Sequence, residues 1–278
     1  MNTVFKEYQN IHKGKRVFLV ANGPSLKQTN LDLLKDEISI AMNRIPLIYP
    51  DNPLWRPTYY LFSSTNVRHP AWGPAWTNSV RQAVSDPSTT SFIASMFKQY
   101  IDPIGAFPQI KWFDQMSEQK PTPNGDILEV CFSKNVVQRI DKSGTTMNLA
   151  LQLSYHMGFS EIVFVGADLG WAGDRGSTND PNHFDKSYRA DIAPEKIYKI
   201  NNQMRNVHSL AYKNFSERDI KVSFYNSSKK TVLDVYPIID FESYAKDGSV
   251  VRREEDLENA KLFWDKPPQY GAPTWAPK

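Results

Sequence analysis

Short runs of consecutive apolar residues alternate along this chain with stripes at helical spacing, and small polar residues punctuate the ends of the runs. Runs at 17–21, 37–42, 58–62, 91–94, 161–166 and 221–225 read as strands. A helix is predicted over 74–84, with Pro74 at its start, and another over 147–157, apolar on most sides and stopped by Gly158. A third spans 194–218, where Ile197, Ile200, Met204, Val207, Leu210, Ala211 and Phe215 form one stripe. Residues 1–14 read as a short polar helix or arm, and Leu31, Leu33 and Leu34 as one or two helical turns. The Pro-containing stretch 95–135 yields only short strands near 110–113 and 130–132. The apolar helix at 147–157 leads at once into an apolar strand, which implies that both are central.

The ends of these strands carry the candidate chemistry. Asn22-Gly23-Pro24-Ser25 follows the first, Asn43-Arg44 the second, Ser63-Ser64-Thr65-Asn66 the third, Asp168 the strand at 161–166, and Asn226-Ser227-Ser228 the last. In a parallel sheet those ends converge on one crevice, where open α/β sheets bind ligands. Gly23 allows close backbone approach, Pro24 fixes φ, and Ser25 offers a cap to the next turn, so the segment suits a phosphate. An ordinary strand-to-helix turn fits the same residues. Ser143-Gly144-Thr145 opens the helix at 147–157 with hydroxyls and free N–H groups that favour a negative group, and plain capping by Ser143 or Thr145 is the alternative.

Beyond Asp168 comes a polar loop, with Trp171 at its start, which continues through Asn182-His183-Phe184 to Tyr188. Loops of this length after a central strand serve as lids. His183 could take a proton from an attacking hydroxyl; His156, near a helix end, reads as structural. Asp168 with Asp174 or Asp180 could hold magnesium loosely, although acidic residues in such loops are commonly turn formers. No phosphate-loop signature and no Asp-x-Asp pair occurs.

Composition narrows the classes. The 278 residues, 40% hydrophobic and 13% aromatic, suffice for one large core, and 33 basic against 30 acidic residues give +3, too little to argue for nucleic acid. The apolar runs are too short to span a bilayer and the first residues lack a signal-peptide core, so a cytoplasmic location is expected. The single cysteine, Cys131, is expected to be a small buried residue.

The motifs Arg16–Leu26, Met42-Asn43-Arg44, Ser143-Gly144 and Gly158–Asp168 together resemble, in the same order, the bacterial sialyltransferases of glycosyltransferase family 42. They are even more similar to a broader group of bacterial Rossmann-like proteins of surface-glycan and flagellin-glycosylation pathways, which share a domain with an archaeal 6-hydroxymethylpterin diphosphokinase. Asn182-His183-Phe184, Tyr225–Ser228 and Leu233–Pro237 extend the likeness, which covers roughly residues 10–245. The resemblance implies an α/β, Rossmann-like (GT-A-type variant), mostly parallel sheet with helices on both faces and a lid at about 172–190, in a domain of residues 1–247; the tail beyond Gly248, charged and then rich in Pro and Trp, reads from its composition as a C-terminal arm, 248–278, that packs on this chain or a neighbour. It implies a metal-independent transfer of a nonulosonate-type sugar from a CMP-activated donor to a glycan or glycoprotein, with no cofactor required. His183 would be the base, helped by Tyr188. Asn22, Gly23, Pro24, Ser25, Asn43, Ser64, Asn66, Ser143, Gly144, Thr145, Asp168, Trp171 and Asn226 would bind donor or nucleotide. Nucleic acid is not an expected partner; peripheral association with the inner membrane face and homo-oligomer formation stay open. The rival classes are an ATP-dependent pterin diphosphokinase and a non-catalytic scaffold of glycan assembly.

Overall fold

The computed structural model describes residues 1–116, 129–170, 181–188 and 197–265. Its centre is a seven-stranded sheet in which every pairing is parallel. The strands are β1 (Arg16–Val20), β2 (Ser39–Met42), β3 (Tyr59–Phe62), β4 (Thr90–Ala94), β5 (Lys111–Phe113), β6 (Glu161–Val165) and β7 (Ser223–Asn226). Their order, β5-β4-β3-β2-β1-β6-β7, runs outward from β1 in one direction and then returns to its other side. The switch point lies between β1 and β6, and this is an α/β fold of Rossmann-like type.

Six helices, α1 (Gly73–Val84), α2 (Lys98–Ile101), α3 (Thr146–Met157), α4 (Ile197–Ser216), α5 (Phe241–Asp247) and α6 (Glu254–Asp265), accompany the sheet among the described residues. Side chains of period two show that both faces are covered. On β3, Tyr59 meets the rings of Tyr8 and His12 near the N-terminus, while Phe62 meets Trp76 of α1. On β6, Phe164 packs on His208 of α4; on its neighbour β1, Phe18 packs on Tyr244 of α5. Strands flanked in this way are apolar beyond their first residue, Arg16 in β1 and Glu161 in β6, which is why they appear as runs in the sequence.

Several local expectations are corrected. Residues 130–132 form no strand, because side chains claim their backbone: Ser143 Oγ accepts from Cys131 N–H at 2.9 Å and Asn148 Nδ2 donates to Cys131 O at 2.9 Å. Cys131 itself is half-buried rather than buried. The segment after β1 is two 3₁₀ turns, Pro24–Gln28 and Leu31–Leu34, with Asn30 capping the second. The N-terminal segment is a 3₁₀ turn, Thr3–Tyr8, whose Phe5 is fully buried against Phe92 and Phe113. The C-terminal arm agrees with one of its two expected placements: its residues 254–265 form α6, which packs on this chain, where Trp264 Nε1 donates to Val232 O at 2.6 Å and Arg205 lies over the indole. Among the described residues no helix is long and apolar enough to cross a membrane.

Candidate functional site

A cavity of about 340 Å³ opens at the carboxyl ends of β1, β2, β3 and β6. The strand ends supply Asn22, Gly23, Asn43, Ser63–Asn66 and Gly166–Leu169, while Lys142–Met147 and the start of α3 supply a second side. Asn182, His183 and Tyr188 cover it together with Ile200, Gln203, Met204 and His208 of α4. Of the four non-glycine residues with positive φ among the described residues, Asn43, Ser143 and Leu169 belong to this cavity. Such conformations are costly and gather at functional sites.

The turn after β1 does not present free donors. Gly23 N–H donates to Gly166 O at 2.8 Å, and Leu26 N–H returns to Gly23 O. Ser25 donates both its N–H, at 2.7 Å, and its hydroxyl, at 2.5 Å, to the carboxylate of Asp168. Ser25 therefore braces β1 against β6 and does not cap the following turn, where no side-chain cap exists. A side chain at Gly23 would meet Asp168 Oδ2 at 2.5 Å and Gly166 O at 2.6 Å, which explains the glycine. Asp168 is 2% exposed, and burial pushes its carboxyl up to about 7 although both Ser25 bonds oppose that rise. With its carboxylate oxygens turned to Ser25, Asp168 acts as a brace beside the cavity. Asp174 and Asp180, the magnesium partners suggested by the sequence, lie outside the described residues, as does Trp171.

The turn before α3 is built the opposite way. Ser143 and Gly144 both have positive φ, and Thr145 caps α3 by accepting from Met147 N–H. Ser143 Oγ is occupied by both backbone groups of Cys131, and Thr146 Oγ1 ties Asn43 Oδ1 to Ser63 O. The N–H groups of Ser143, Gly144 and Thr146 carry no hydrogen bond to another described residue. Unspent amides at a helix N-terminus, following consecutive left-handed residues, form an anion cradle. Lys142 stands next to them and makes no ion pair with a described residue. Burial and the nearby Arg68 charge push its ammonium down to about 8. A side chain at Gly144 would collide with Gln203 at 2.6 Å, and Gln203 Nε2 donates to Ser143 O at 3.1 Å.

Bonds to the strand ends and to α1 seat the cover. Phe184 N–H donates to Asn22 O at 3.2 Å. Buried Arg44 donates from Nη1 to Ser187 O at 2.6 Å and Tyr188 O at 2.7 Å, and from Nε to Ser79 Oγ at 3.2 Å. His183 lies flat on Tyr188, ring centroids 3.7 Å apart, and Tyr188 in turn meets Trp76 edge-on. Asn22 donates from Nδ2 to Met42 O at 3.2 Å, whereas its Oδ1 is buried without a partner among the described residues. Ser64 is engaged as a cap to Asn66 N–H, while the Asn66 side-chain amide bonds no described residue.

Of the residues singled out in the sequence, Asn22, Gly23, Asn43, Ser64, Asn66, Ser143, Gly144, Thr145, Asp168, His183 and Tyr188 meet at this cavity. Pro24, Ser25 and Asn226 do not line it. Asn226 is fully buried, donating to Thr231 Oγ1 and accepting from Ser228 N–H, so it supports the backbone that Thr231 and Ser228 hold at Ala167. His156 is structural as expected: it bonds Phe5 O at 2.8 Å, and burial lowers its pKa. Lys142, Gln203 and His208 were not singled out; Lys142 directly precedes the Ser-Gly pair, which was the available signal. Among the described residues no three His, Cys, Asp or Glu side chains gather as a metal site. No protein-family model matches the chain, and a search of curated protein sequences returns no significant relative.

Proposed function

We propose that this chain is a glycosyltransferase that binds a CMP-activated, nonulosonate-type donor in the cavity and passes the sugar to a hydroxyl of a glycan or glycoprotein. The observation that carries the reading is the set of unspent N–H groups at Ser143, Gly144 and Thr146 beside Lys142, facing a lid that bears His183. The family 42 resemblance of the strand-end motifs adds the choice of nucleotide. In the reaction the bond from the sugar's anomeric carbon to the phosphate oxygen breaks, and its electron pair leaves with CMP. The acceptor oxygen bonds the anomeric carbon as its proton passes to His183. Amides and Lys142 offset the charge that grows on the phosphate, which is the largest demand of such a step. The segment at 181–188, seated on Asn22 O and Arg44, keeps water from the sugar. This reading requires no cofactor and places the chain on the cytoplasmic side of a glycan-assembly route.

The test is a thermal-shift titration with CMP, CDP, UDP, GDP and ATP, with and without magnesium. Selective stabilisation by CMP without metal is expected. A preference for ATP with magnesium would favour the diphosphokinase class, and no response to any nucleotide would favour the scaffold. His183→Ala is expected to keep CMP binding and lose most transfer; unchanged turnover would remove it as the base.

A further inference from the structure

His208, on the α4 wall of the cavity, has a fixed tautomer. Tyr236 has one hydroxyl proton and donates it to His208 O at 3.0 Å; the same hydroxyl lies 3.2 Å from His208 Nδ1. The arrangement in which the hydroxyl donates to the carbonyl and accepts from the ring makes both bonds, and it puts the hydrogen on Nδ1. Nε2 is then an unprotonated acceptor, and it has no partner among the described residues. His208 is 3% exposed, and its surface forms part of the cavity wall with Ile200 and Met204 at successive turns of α4. Phe164 and Tyr236 hold the ring edge-on at 4.9 and 5.6 Å. Burial pushes its pKa down to about 3, so the ring stays neutral at physiological pH. Nε2 is not one of the sealed polar atoms that lack a partner, so its lone pair is open to the cavity.

We infer that His208 Nε2 is a ligand acceptor that selects a hydrogen-bond donor on the bound nucleotide. The inference rests on the nucleotide reading above. Two donors share this chemistry, the exocyclic amine of cytosine and a ribose hydroxyl. A site built to accept from a donor discriminates strongly against an analogue that lacks it.

Calorimetric titration of CMP and UMP into the full chain and its His208→Phe variant separates them. Phenylalanine preserves the ring contacts and the Tyr236 bond to the backbone carbonyl. With the base amine as donor, the wild type prefers CMP and the variant loses that preference, about tenfold. With a ribose hydroxyl, the variant weakens both nucleotides about tenfold at an unchanged ratio. Wild-type affinities for both nucleotides in the variant would overturn the inference alone, whereas a wild type that binds neither would overturn the nucleotide reading and this inference with it. Nitrogen NMR of the wild-type imidazole gives a readout independent of any variant. The Nε2 resonance of His208 is expected to be that of a bare nitrogen and to move when CMP is added, while Nδ1 stays protonated. A protonated Nε2, or one unmoved by saturating CMP, would overturn the inference.

Discussion

The turn after β1 and the turn before α3 read alike in the sequence, each a small-residue segment with serine and glycine at a cavity edge, yet they spend their backbone donors differently. At Gly23 and Ser25 the N–H groups go to Gly166 O and Asp168, binding the two central strands together. At Ser143, Gly144 and Thr146 they bond no described residue and stand beside Lys142. A turn of small residues can therefore offer amides to an anion only where the rest of the fold leaves them unsatisfied. The first turn holds the cavity in shape, and the second gives it charge complementarity.

The sharpest way to break this contrast is Gly23→Ala. The added carbon meets Asp168 Oδ2 at 2.5 Å and the backbone oxygen of Gly166 at 2.6 Å, neither of which can yield cheaply. A loss on the order of 3 kcal/mol is expected, read as a fall in Tm, with CMP affinity lost only as the fold is lost. Next is Lys142→Met, expected to leave Tm near that of the wild type while weakening CMP roughly tenfold, as for a charge-assisted hydrogen bond. Because burial pushes the Lys142 ammonium down to about 8, wild-type CMP affinity should fall as pH rises through that value, and the methionine variant should lack the step in titrations across it.

A pH series tests the brace from another side. The folded state holds the Asp168 proton up to about 7, above the unfolded carboxyl value of 3.8. Between those values the folded chain binds more protons than the unfolded one, so stability should decline as pH rises from about 4 to 7 and then level off. Asp168→Asn, which keeps shape but cannot ionise, should flatten that part of a denaturation series. Smallest is Ser25→Ala, which removes one bond to Asp168 and should cost about 1–2 kcal/mol in chemical denaturation with CMP affinity unchanged.

Much of the sheet was legible because strands covered on both faces leave continuous apolar runs, as at 161–165 and 59–62. The stretch at 130–132 misled for a local reason. Its apolar residues match a strand, but Ser143 and Asn148 saturate the backbone that a neighbouring strand would need. The cavity was legible as a set of strand ends. Which of its donors are free was not, since the partner of Ser25 lies 143 residues away at Asp168. His208 was hidden for a different reason: its place on the stripe of α4 reads as core, and the Tyr236 contact that engages its Nδ1 comes from residue 236, beyond the helix. Asn226 misled in the other direction, a strand-end asparagine whose amide is consumed by Thr231 and Ser228.

The contrast between the two turns is most directly tested by amide proton NMR of the full chain as CMP is added. The amide protons of Ser143, Gly144 and Thr146 are expected to shift downfield together as they gain a charged acceptor, while those of Gly23 and Ser25 stay in place. Shifts at Gly23 and Ser25 with none at 143–146 would contradict the account.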